Sequence, residues 1–142
     1  HVMINIQNDF NSKFQNWFNL LINEPSKTGR IDEAFTPILE QDGYEQEFSY
    51  LSGGEKTSIA LAYRLSLNNI VQQIIRIKPN LLILDEPTDG FSINQLNKVK
   101  EILQELQSEQ VIIVSHEKVL ESFADQIFKV KKIEGQSIIT IA

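Results

Sequence analysis

The sequence predicts an α/β fold with a parallel sheet, flanking helices and a helical region that opens on a pair of glycines. Two short and wholly apolar runs, residues 81–84 and 111–114, are typical of buried strands. An amphipathic helical pattern over residues 94–107 lies between them. A strand, a helix and a strand in this order imply a right-handed parallel unit. We therefore expect the two strands to be neighbours that are covered on both faces.

Three helices are predicted outside this unit. Residues 4–22 form one amphipathic helix, which by its pattern is either the end of a truncated coiled coil or an ordinary packed N-terminal helix, and a loop follows over residues 23–29. Apolar residues recur along that helix at helical spacing: Ile4, Ile6, Phe10, Phe14, Trp17 or Phe18, and Leu21. Ser52 is a candidate N-cap for a long helix over residues 54–75. Residues 117–123 form a short third helix.

Two pairs of short strands are predicted as well. Residues 31–39 and 44–48 form the first pair, although Pro37 weakens the first strand because proline cannot donate to a ladder. Residues 126–132 and 137–141 form a terminal hairpin. Each pair has a turn in which glycine follows an acidic residue: Asp42-Gly43 and Glu134-Gly135.

The composition limits the class of protein. With 142 residues, the chain suits one domain or one lobe and is long enough to bury a real core. The net charge of −6 argues against a domain that binds polyanions over its whole surface. The lack of cysteine excludes disulfides and thiolate metal sites. No apolar run approaches a membrane span, so we expect no membrane partner and a cytoplasmic setting, or a nuclear one in a eukaryote.

The sharpest motif is LSGGE at residues 51–55. Two glycines before a helix let backbone N–H groups approach an anion closely, and the helix N-terminus adds a positive dipole end. Ser52 adds a hydroxyl donor. We therefore interpret Ser52, Gly53, Gly54 and Glu55 as a site that caps a γ-phosphate without a lysine. The alternative is a capped helix that follows a tight turn.

A second motif, LLILDE at residues 81–86, ends an apolar strand in two acids. That position is the carboxyl edge of a parallel sheet, where open α/β sheets bind ligands. We expect Asp85 to hold Mg²⁺ and Glu86 to polarise the attacking water. The alternative is a solvated acidic turn before Pro87. The chain has no GxxxxGK[ST] loop, so the residues that act on a nucleoside triphosphate occur without the segment that cradles its phosphates.

His116 ends the second predicted strand, in the sequence VIIVSHE. A parallel arrangement places it beside the strand of Glu86, where a histidine could sense the γ-phosphate or orient the water; the alternative is a satisfied turn residue. The loop over residues 88–92 could contact a facing subunit or could be an ordinary Asp-Gly turn. The basic residues 129–132 (KVKK) favour a solvated strand face over a DNA contact.

Together these motifs resemble the ATP-binding-cassette (ABC) superfamily. LSGGE resembles its signature motif, LLILDE its Walker B, residues 88–92 its D-loop and His116 its switch histidine, in family order over residues 44–130. The continuation LSGGEKTSIALAYRLSL is similar to the SMC-like DNA-maintenance ATPases. Pro87-Thr88 after the second acid is most similar to the Rad-fifty family, the ATPase of the double-strand-break repair nuclease complex.

The resemblance implies the C-terminal lobe of a split ABC-type P-loop ATPase head. In that family an N-terminal lobe carries Walker A, and a long antiparallel coiled coil joins the two lobes. Residues 1–3 are then interpreted as a cloning remnant, residues 4–24 as the base of a truncated coiled coil, and residues 25–142 as the lobe. The family D-loop commonly ends in Asp where this chain has Ser92, so a D-loop role falls on Asp89 or on the backbone.

The resemblance also implies ligands and partners. Two composite heads would sandwich two ATP molecules with Mg²⁺, and Ser52, Gly53 and Gly54 of one head would cap the nucleotide held by the other. ATP would thus drive a homodimer. The Mre-eleven nuclease would dock near residues 4–22, and DNA would bind through the assembled complex. The assembly would hydrolyse ATP, whereas the isolated chain has nowhere to hold the adenine and β-phosphate and is expected to be inactive.

Two other functions are compatible with these residues. One is a different ATPase of the superfamily: an SMC, RecN-like or RecF-like head, or a transporter cassette, which a kleisin-type or transmembrane partner would distinguish. The other is a non-catalytic, ATP-dependent scaffold lobe. The presence of Asp85, Glu86 and His116 together argues against the scaffold.

Overall fold

A computed structural model describes residues 2–75, 81–106 and 108–142. Their elements follow in chain order: α1 (Val2–Ile22), β1 (Lys27–Ile31), β2 (Pro37–Gln41), β3 (Tyr44–Gln46), a 3-10 turn (Phe48–Tyr50), α2 (Gly53–Ile75), β4 (Leu81–Asp85), α3 (Ile93–Glu105), β5 (Gln110–Val114), a second 3-10 turn (Lys118–Phe123), β6 (Phe128–Ile133) and β7 (Gln136–Ile141). None of the described helices has the length and apolar character needed to cross a membrane.

The described strands form three separate sheets. β1, β2 and β3 form an antiparallel sheet. β4 and β5 form the predicted parallel pair, in which Ile83 lies opposite Ile112 and Asp85 lies opposite Val114. β6 and β7 form the predicted terminal hairpin. The parallel pair brings the ends of β4 and β5 to the same edge.

The core lies between α1, α2 and the first sheet. α1 contributes a buried stripe that confirms the predicted amphipathic helix: Phe10, Phe14, Phe18 and Leu21. Trp17 is half-buried, and its indole N–H donates to Asn69 Oδ1 of α2 at 3.1 Å. β1 packs so closely on α1 that a Cβ on Gly29 would lie 2.8 Å from Phe18 Cγ and 2.9 Å from Phe14 Cε1. α1 is therefore an integral part of this core.

α2 and α3, both predicted as helices, complete the core. α2 buries Ile59, Ala62, Leu65 and Ile70. α3 buries Leu96, Val99 and Ile102. Two buried α2 hydroxyls, those of Ser58 and Ser66, donate to carbonyl oxygens four residues earlier at 2.7 Å, so their burial leaves no donor unpaired. α3 ends at Glu105, and the predicted last residue, Gln107, lies outside the described residues.

The first sheet differs from the prediction in two places. β1 begins at Lys27, inside the segment predicted as a loop, because its polar sequence KTGRI carries no apolar run and its pairing with β2 decides its conformation. Residues 31–39 are two strands rather than one. The Asp32 carboxylate accepts the N–H groups of Ala34 and Thr36 at 2.9 and 2.7 Å, which closes a turn between β1 and β2. Pro37 then begins β2.

Both acidic-residue–glycine turns are confirmed. Asp42 and Gly43 have φ values of 53° and 84° between β2 and β3, and Glu134 and Gly135 have φ values of 49° and 83° between β6 and β7. Two consecutive residues with positive φ are typical of the tight hairpin turns whose twist matches that of the strands.

The expectation that β4 and β5 are covered on both faces was wrong. Leu82 and Leu84 face the core with Val111 and Ile113, but the alternate residues are exposed. We call the exposed set the open face: Leu81, Ile83, Ile112 and Val114. Ile83 has 61% of its surface exposed although its sequence neighbours are apolar. An apolar run predicts burial on both faces, but the described chain packs against only one face of this pair.

The terminal hairpin is more exposed still, since every residue of β6 and β7 is exposed. The register places four apolar side chains on one side of the hairpin: Phe128, Val130, Ile139 and Ile141. A two-stranded hairpin with an uncovered apolar side is marginally stable in water. Both this hairpin and the open face therefore lack cover within the described residues.

Candidate functional site

The LSGGE segment forms the N-terminus of α2, and Ser52 caps the helix as predicted. The N–H of Glu55 donates to Ser52 Oγ at 3.3 Å, and the N–H of Ser52 donates to Glu55 Oε2 at 2.7 Å. This reciprocal pair is a capping box, which fixes the start of the helix. The helix begins at Gly53, one residue earlier than predicted.

The predicted anion donors of this segment are the N–H groups of the first helical turn and the hydroxyl of Ser52, and they differ in how readily they could bind a ligand. Apart from the adjoining residues and the helix's own backbone, no heavy atom lies within 4 Å of the position that a Cβ on Gly53 would occupy, so the first turn of α2 opens to solvent there. The N–H groups of a first helical turn have no partner within the helix and can bind an anion. The Ser52 hydroxyl instead donates to Glu55 Oε2 at 2.7 Å. It must leave that carboxylate before it can donate to a ligand.

A lysine that the sequence analysis did not single out lies beside this motif. Lys27 Nζ, at the start of β1, is 2.8 Å from Glu55 Oε1 and 2.7 Å from Glu24 Oε2. The hydrogen bonds that Lys27 donates to Glu24 and Glu55 raise the pKa of Lys27. Burial alone would raise the pKa of Glu55, but hydrogen bonds from Lys27 and Ser52 outweigh it and hold that pKa below its usual value. No sequence signal marks this pair, because it depends on how β1 packs beside α2.

The two acids and the histidine meet at the edge of the parallel pair. Asp85 ends β4, Glu86 follows it, and His116 follows β5. The N–H of Glu86 donates to the carbonyl of Val114 at 2.8 Å, which fixes its backbone to the neighbouring strand. Its carboxylate oxygens lie 3.1 and 3.2 Å from His116 Nδ1. The structure thus brings Glu86 and His116 together, as the parallel arrangement predicted.

The contact between Glu86 and His116 shifts the pKa values of both side chains. The hydrogen bond from His116 holds the pKa of Glu86 below its usual value, and the same bond raises the pKa of His116. Glu86 is therefore an ionised carboxylate that accepts hydrogen bonds well but takes up a proton poorly. Such a group suits the orientation and polarisation of a water molecule better than complete removal of its proton.

The loop that follows Glu86 packs on the start of α2. The Thr57 hydroxyl donates to the carbonyl of Asp89 at 2.6 Å. Gly90 has a φ of 76°, and a Cβ there would lie 3.3 Å from the carbonyl carbon of Gly53. The loop that carries Asp89 is therefore fastened to the glycine pair of its own chain. The Asp89 side chain itself is exposed.

Ser92, at the end of this loop, caps α3. The N–H of Gln95 donates to Ser92 Oγ at 3.4 Å, and the N–H of Ser92 donates to Gln95 Oε1 at 3.0 Å. This second capping box gives Ser92 a local role in place of the family's aspartate. The signal was present in the sequence, because serine followed three residues later by glutamine before a helical pattern is a capping-box signature.

The predicted residues therefore form two groups. The first group is the start of α2 together with the loop of Asp89, and it contains Ser52, Gly53, Gly54 and Glu55. The second group consists of Glu86 and His116. No recorded hydrogen bond or ion pair among the described residues joins the two groups.

The acidic edge offers carboxylate oxygens to a metal ion. No group of three or more His, Asp or Glu side chains that could hold a metal occurs within the described ranges. Asp85 is exposed at the sheet edge, next to Glu86. Mg²⁺ is usually held by one or two carboxylates together with phosphate oxygens and water, so a lone exposed carboxylate fits as one ligand of Mg²⁺ brought in with a nucleotide.

The chain is similar in sequence to ATPases named for DNA double-strand break repair, and also to an energy-coupling factor transporter ATP-binding protein. The chain is 34% identical over 117 residues to a DNA double-strand break repair Rad50 ATPase of Thermoplasma acidophilum, and 38% identical over 112 residues to one of Archaeoglobus fulgidus. These matches cover 79% and 78% of this chain but only 13% and 12% of the two relatives. No protein-family model matches the sequence.

A solved structure from work on ATP-driven dimerisation and DNA-stimulated activation of SMC ATPases is also similar. It has a TM-score of 0.77 and 19% sequence identity, and the match covers 99% of this chain and 88% of that one. At this identity the likeness concerns the fold alone, and it confirms the predicted α/β fold.

Proposed function

The chain belongs to the Rad50 family of DNA double-strand break repair ATPases, and on that premise we propose that it is the C-terminal lobe of a composite ATPase head. Two such heads bind and hydrolyse ATP at their interface. The observation that carries the proposal is the contact of Glu86 with His116 at the edge of the parallel pair, in a chain that also presents the open glycine turn of α2.

The missing half of the site is supplied by the N-terminal Walker-A lobe of the same protein. The open face and the apolar side of the β6–β7 hairpin support this partner, because apolar surfaces of this kind are covered in folded heads. Without that lobe the chain has no loop to hold the adenine and β-phosphate, so the isolated chain is inactive. Residues 4–24 belong to the base of the coiled coil as well as to the core.

Further partners follow from the same assignment. The Mre-eleven nuclease docks near α1, at the base of the coil, and DNA binds through the assembled complex. ATP-driven closure of the heads then controls DNA tethering and access of the nuclease. The protein works in the cytoplasm, or in the nucleus of a eukaryote.

In the assembled site each residue has one task. The N–H groups of Gly53 and Gly54 and the hydroxyl of Ser52 contact the γ-phosphate of the ATP that the opposite head holds. Since this cap has no lysine in its motif, it binds phosphate too weakly to recruit ATP alone and favours the dimer only when ATP is already in place. Loss of the γ-phosphate therefore releases the dimer.

The hydrolytic step depends on Glu86 and His116. The ionised Glu86 carboxylate accepts a hydrogen bond from the attacking water and orients it, and His116 Nδ1 holds that carboxylate in place. Asp85 holds Mg²⁺, which when bound neutralises negative charge on the phosphates. Asp89, in a loop that Thr57 fastens through the Asp89 carbonyl, contacts the opposite head in this proposal.

The main test replaces Glu86 by Gln in a composite head made of this chain and the Walker-A lobe. We expect turnover to fall by about 100-fold or more, because the amide cannot polarise water as a carboxylate does. ATP-dependent dimerisation, measured by size-exclusion chromatography with light scattering, is retained. Glu117→Gln is the matched control, since Glu117 lies 3.8 Å from the other nitrogen of His116. Rapid turnover by Glu86→Gln would refute the assignment, and dimerisation without turnover by the unaltered head would favour a scaffold.

A second test places a bulky cation at the cap. Ser52→Arg should block ATP-dependent dimerisation through bulk and lost phosphate contacts, whereas Ser122→Arg, at an exposed serine of the second 3-10 turn, should dimerise normally. The same light-scattering assay measures both. ATP-dependent dimers of Ser52→Arg would count strongly against the phosphate-capping role.

A further inference from the structure

We propose that Lys27 is a positioning residue of the phosphate cap: its ammonium neutralises the Glu55 carboxylate, so that Ser52 and the first turn of α2 can face a phosphate. This inference rests on the proposed function and adds to it a residue from outside the signature motif. Lys27 lies in β1, in a segment that the sequence predicted to be a loop.

The geometry links Lys27 to the cap through a single carboxylate. Glu55 Oε1 lies 2.8 Å from Lys27 Nζ, and Glu55 Oε2 accepts hydrogen bonds from both the N–H and the hydroxyl of Ser52 at 2.7 Å. The side chains of Lys27 and Glu55 are only 14% and 16% exposed. Each oxygen of Glu55 therefore has a defined partner, and solvent reaches only a minor part of either side chain.

The charge balance gives Lys27 its role. Glu55 lies in the first turn of α2, where its negative charge is favourable to the helix dipole but opposes the approach of another anion. Because Lys27 also contacts Glu24, the three side chains carry a net charge of −1 with Lys27 in place and −2 without it, and the smaller negative charge leaves the dipole of α2 available to a phosphate. Without Lys27, a weakly screened negative charge would lie beside the hydroxyl that must reach the phosphate. The lowered pKa of Glu55 supports this balance, since the carboxylate stays ionised and needs a counterion.

The surroundings place the pair at a surface that a ligand can reach. Lys27 and Glu55 line an open groove of about 480 Å³ together with Ser52, Gly54, Ser92 and Gln95. The groove lies between the end of α1 and the first turns of α2 and α3. Lys27 also contacts Glu24, just after α1, and so ties the end of that helix to the cap.

The alternative role for Lys27 is a structural ion pair that only holds β1 against α2. The two roles differ in how they respond to removal of the partner charge. If Lys27 acts by neutralising Glu55, removing the Glu55 charge should make Lys27 dispensable. If it acts only as a brace, removing both charges should be at least as harmful as removing one.

The test uses the composite head with Glu86→Gln as the reference, and measures the ATP concentration that gives half-maximal dimerisation. We expect Lys27→Met to raise that concentration by about tenfold or more, because it leaves an unpaired charge beside the ligand. Lys27→Met with Glu55→Gln should return to within about threefold of the reference, and so should Lys27→Arg, which keeps the charge. Lys13→Met is the control, since Lys13 contacts Asp9 on α1 away from the cap.

The outcomes separate this inference from the proposed function. A reference head that does not dimerise with ATP overturns both. A reference that dimerises, with Lys27→Met dimerising equally well, overturns the role of Lys27 alone. A double variant that is as impaired as Lys27→Met also overturns it, in favour of the brace. Thermal unfolding midpoints are measured in parallel, and Lys27→Gln replaces Lys27→Met, with the same expectation, if the methionine variant does not fold.

Discussion

The region built from α1, α2 and the first sheet contains most of the fully buried apolar residues, whereas the β4–β5 pair has few and the β6–β7 hairpin has none. Phe14 and Phe18 have no exposed surface, but Ile141 is 68% exposed. Both regions have regular apolar patterns in the sequence. The difference is that α1, α2 and the sheet cover one another, while the open face and the hairpin have no cover within the described residues. The pattern identifies the apolar face, and only the packing shows whether the same chain covers it.

The proposed chemistry is divided between these two regions. The capping motif begins α2, at the border of the well-packed region, and is held by two capping hydrogen bonds and by Lys27. Glu86 and His116 lie at the edge of the pair that carries the open face. The start of α2 is thus fixed by this chain, although Ser52 must leave Glu55 to reach a phosphate, whereas the proposed hydrolytic edge depends on the partner that would complete it.

The largest effect is expected in the well-packed region. Phe14→Ala should lower the free energy of unfolding of the chain by about 3–5 kcal/mol, because it leaves a cavity between α1 and β1. Ile139→Ala on the hairpin should change it by no more than about 0.5 kcal/mol. Urea unfolding of the chain on its own measures both. Similar losses from the two variants would show that the hairpin is packed in the free chain and would remove the contrast.

A smaller effect is expected when a polar group is placed on the open face. Ile83→Ser should leave the unfolding free energy of the free chain nearly unchanged but destabilise the composite head by about 2 kcal/mol or more, because the hydroxyl is then buried against the other lobe. Unfolding of the free chain and of the composite head gives the two values. The control is Thr140→Ser, which keeps the hydroxyl. Thr140 is exposed and lies on the side of the hairpin opposite its four apolar side chains. An unchanged composite head would mean that the other lobe does not cover this face.

The smallest effect concerns the pairing of Glu86 with His116. Since the pKa of His116 is raised, its contribution is complete below its unfolded pKa and is lost as the pH rises through the folded value. Since the pKa of Glu86 is lowered, its contribution is present above its unfolded pKa and is lost as the pH falls through the folded value. The pairing is therefore strongest in weakly acidic solution. Both side chains are well exposed, so the effect on stability is slight.

NMR titration of the imidazole of His116 tests this pairing directly. The chain has two histidines, so a His1→Ala variant leaves one signal to follow. Glu86→Gln should move the midpoint to lower pH, whereas Glu117→Gln should move it less. Equal midpoints for the unaltered and Glu86→Gln proteins would show that the contact is not maintained in solution.

Much of this arrangement was predictable because it depends on local chemistry. Helical spacing predicted the stripe on α1, and capping chemistry predicted the cap at Ser52. The two apolar runs predicted the parallel pair, and turn geometry predicted both acidic-residue–glycine turns. The proximity of Glu86 to His116 followed from the parallel pairing of their strands. These features need only a few neighbouring residues, or one pair of strands, to be specified.

The features that sequence reasoning missed depend on distant contacts. β1 has a polar sequence that becomes a strand only by pairing with β2, and its Lys27 reaches Glu55 only because α2 starts beside it. The exposure of Ile83 depends on what packs over β4, which an apolar run cannot specify. The capping box at Ser92 was the exception, since its signal is local and was overlooked.

Glu86 has a backbone φ of 42°, in the left-handed region that a side chain other than glycine adopts at a cost. Such strain persists only where the surroundings over-determine it, here through the bond of its N–H to Val114. A glycine at this position would relieve the backbone and remove the carboxylate at the same time. Glycine at position 86 would therefore make the turn more stable, whereas glutamate supplies the carboxylate. The chain carries the less stable residue of the two. At this one residue, a redesign guided by stability alone would remove the carboxylate that the proposed hydrolysis requires.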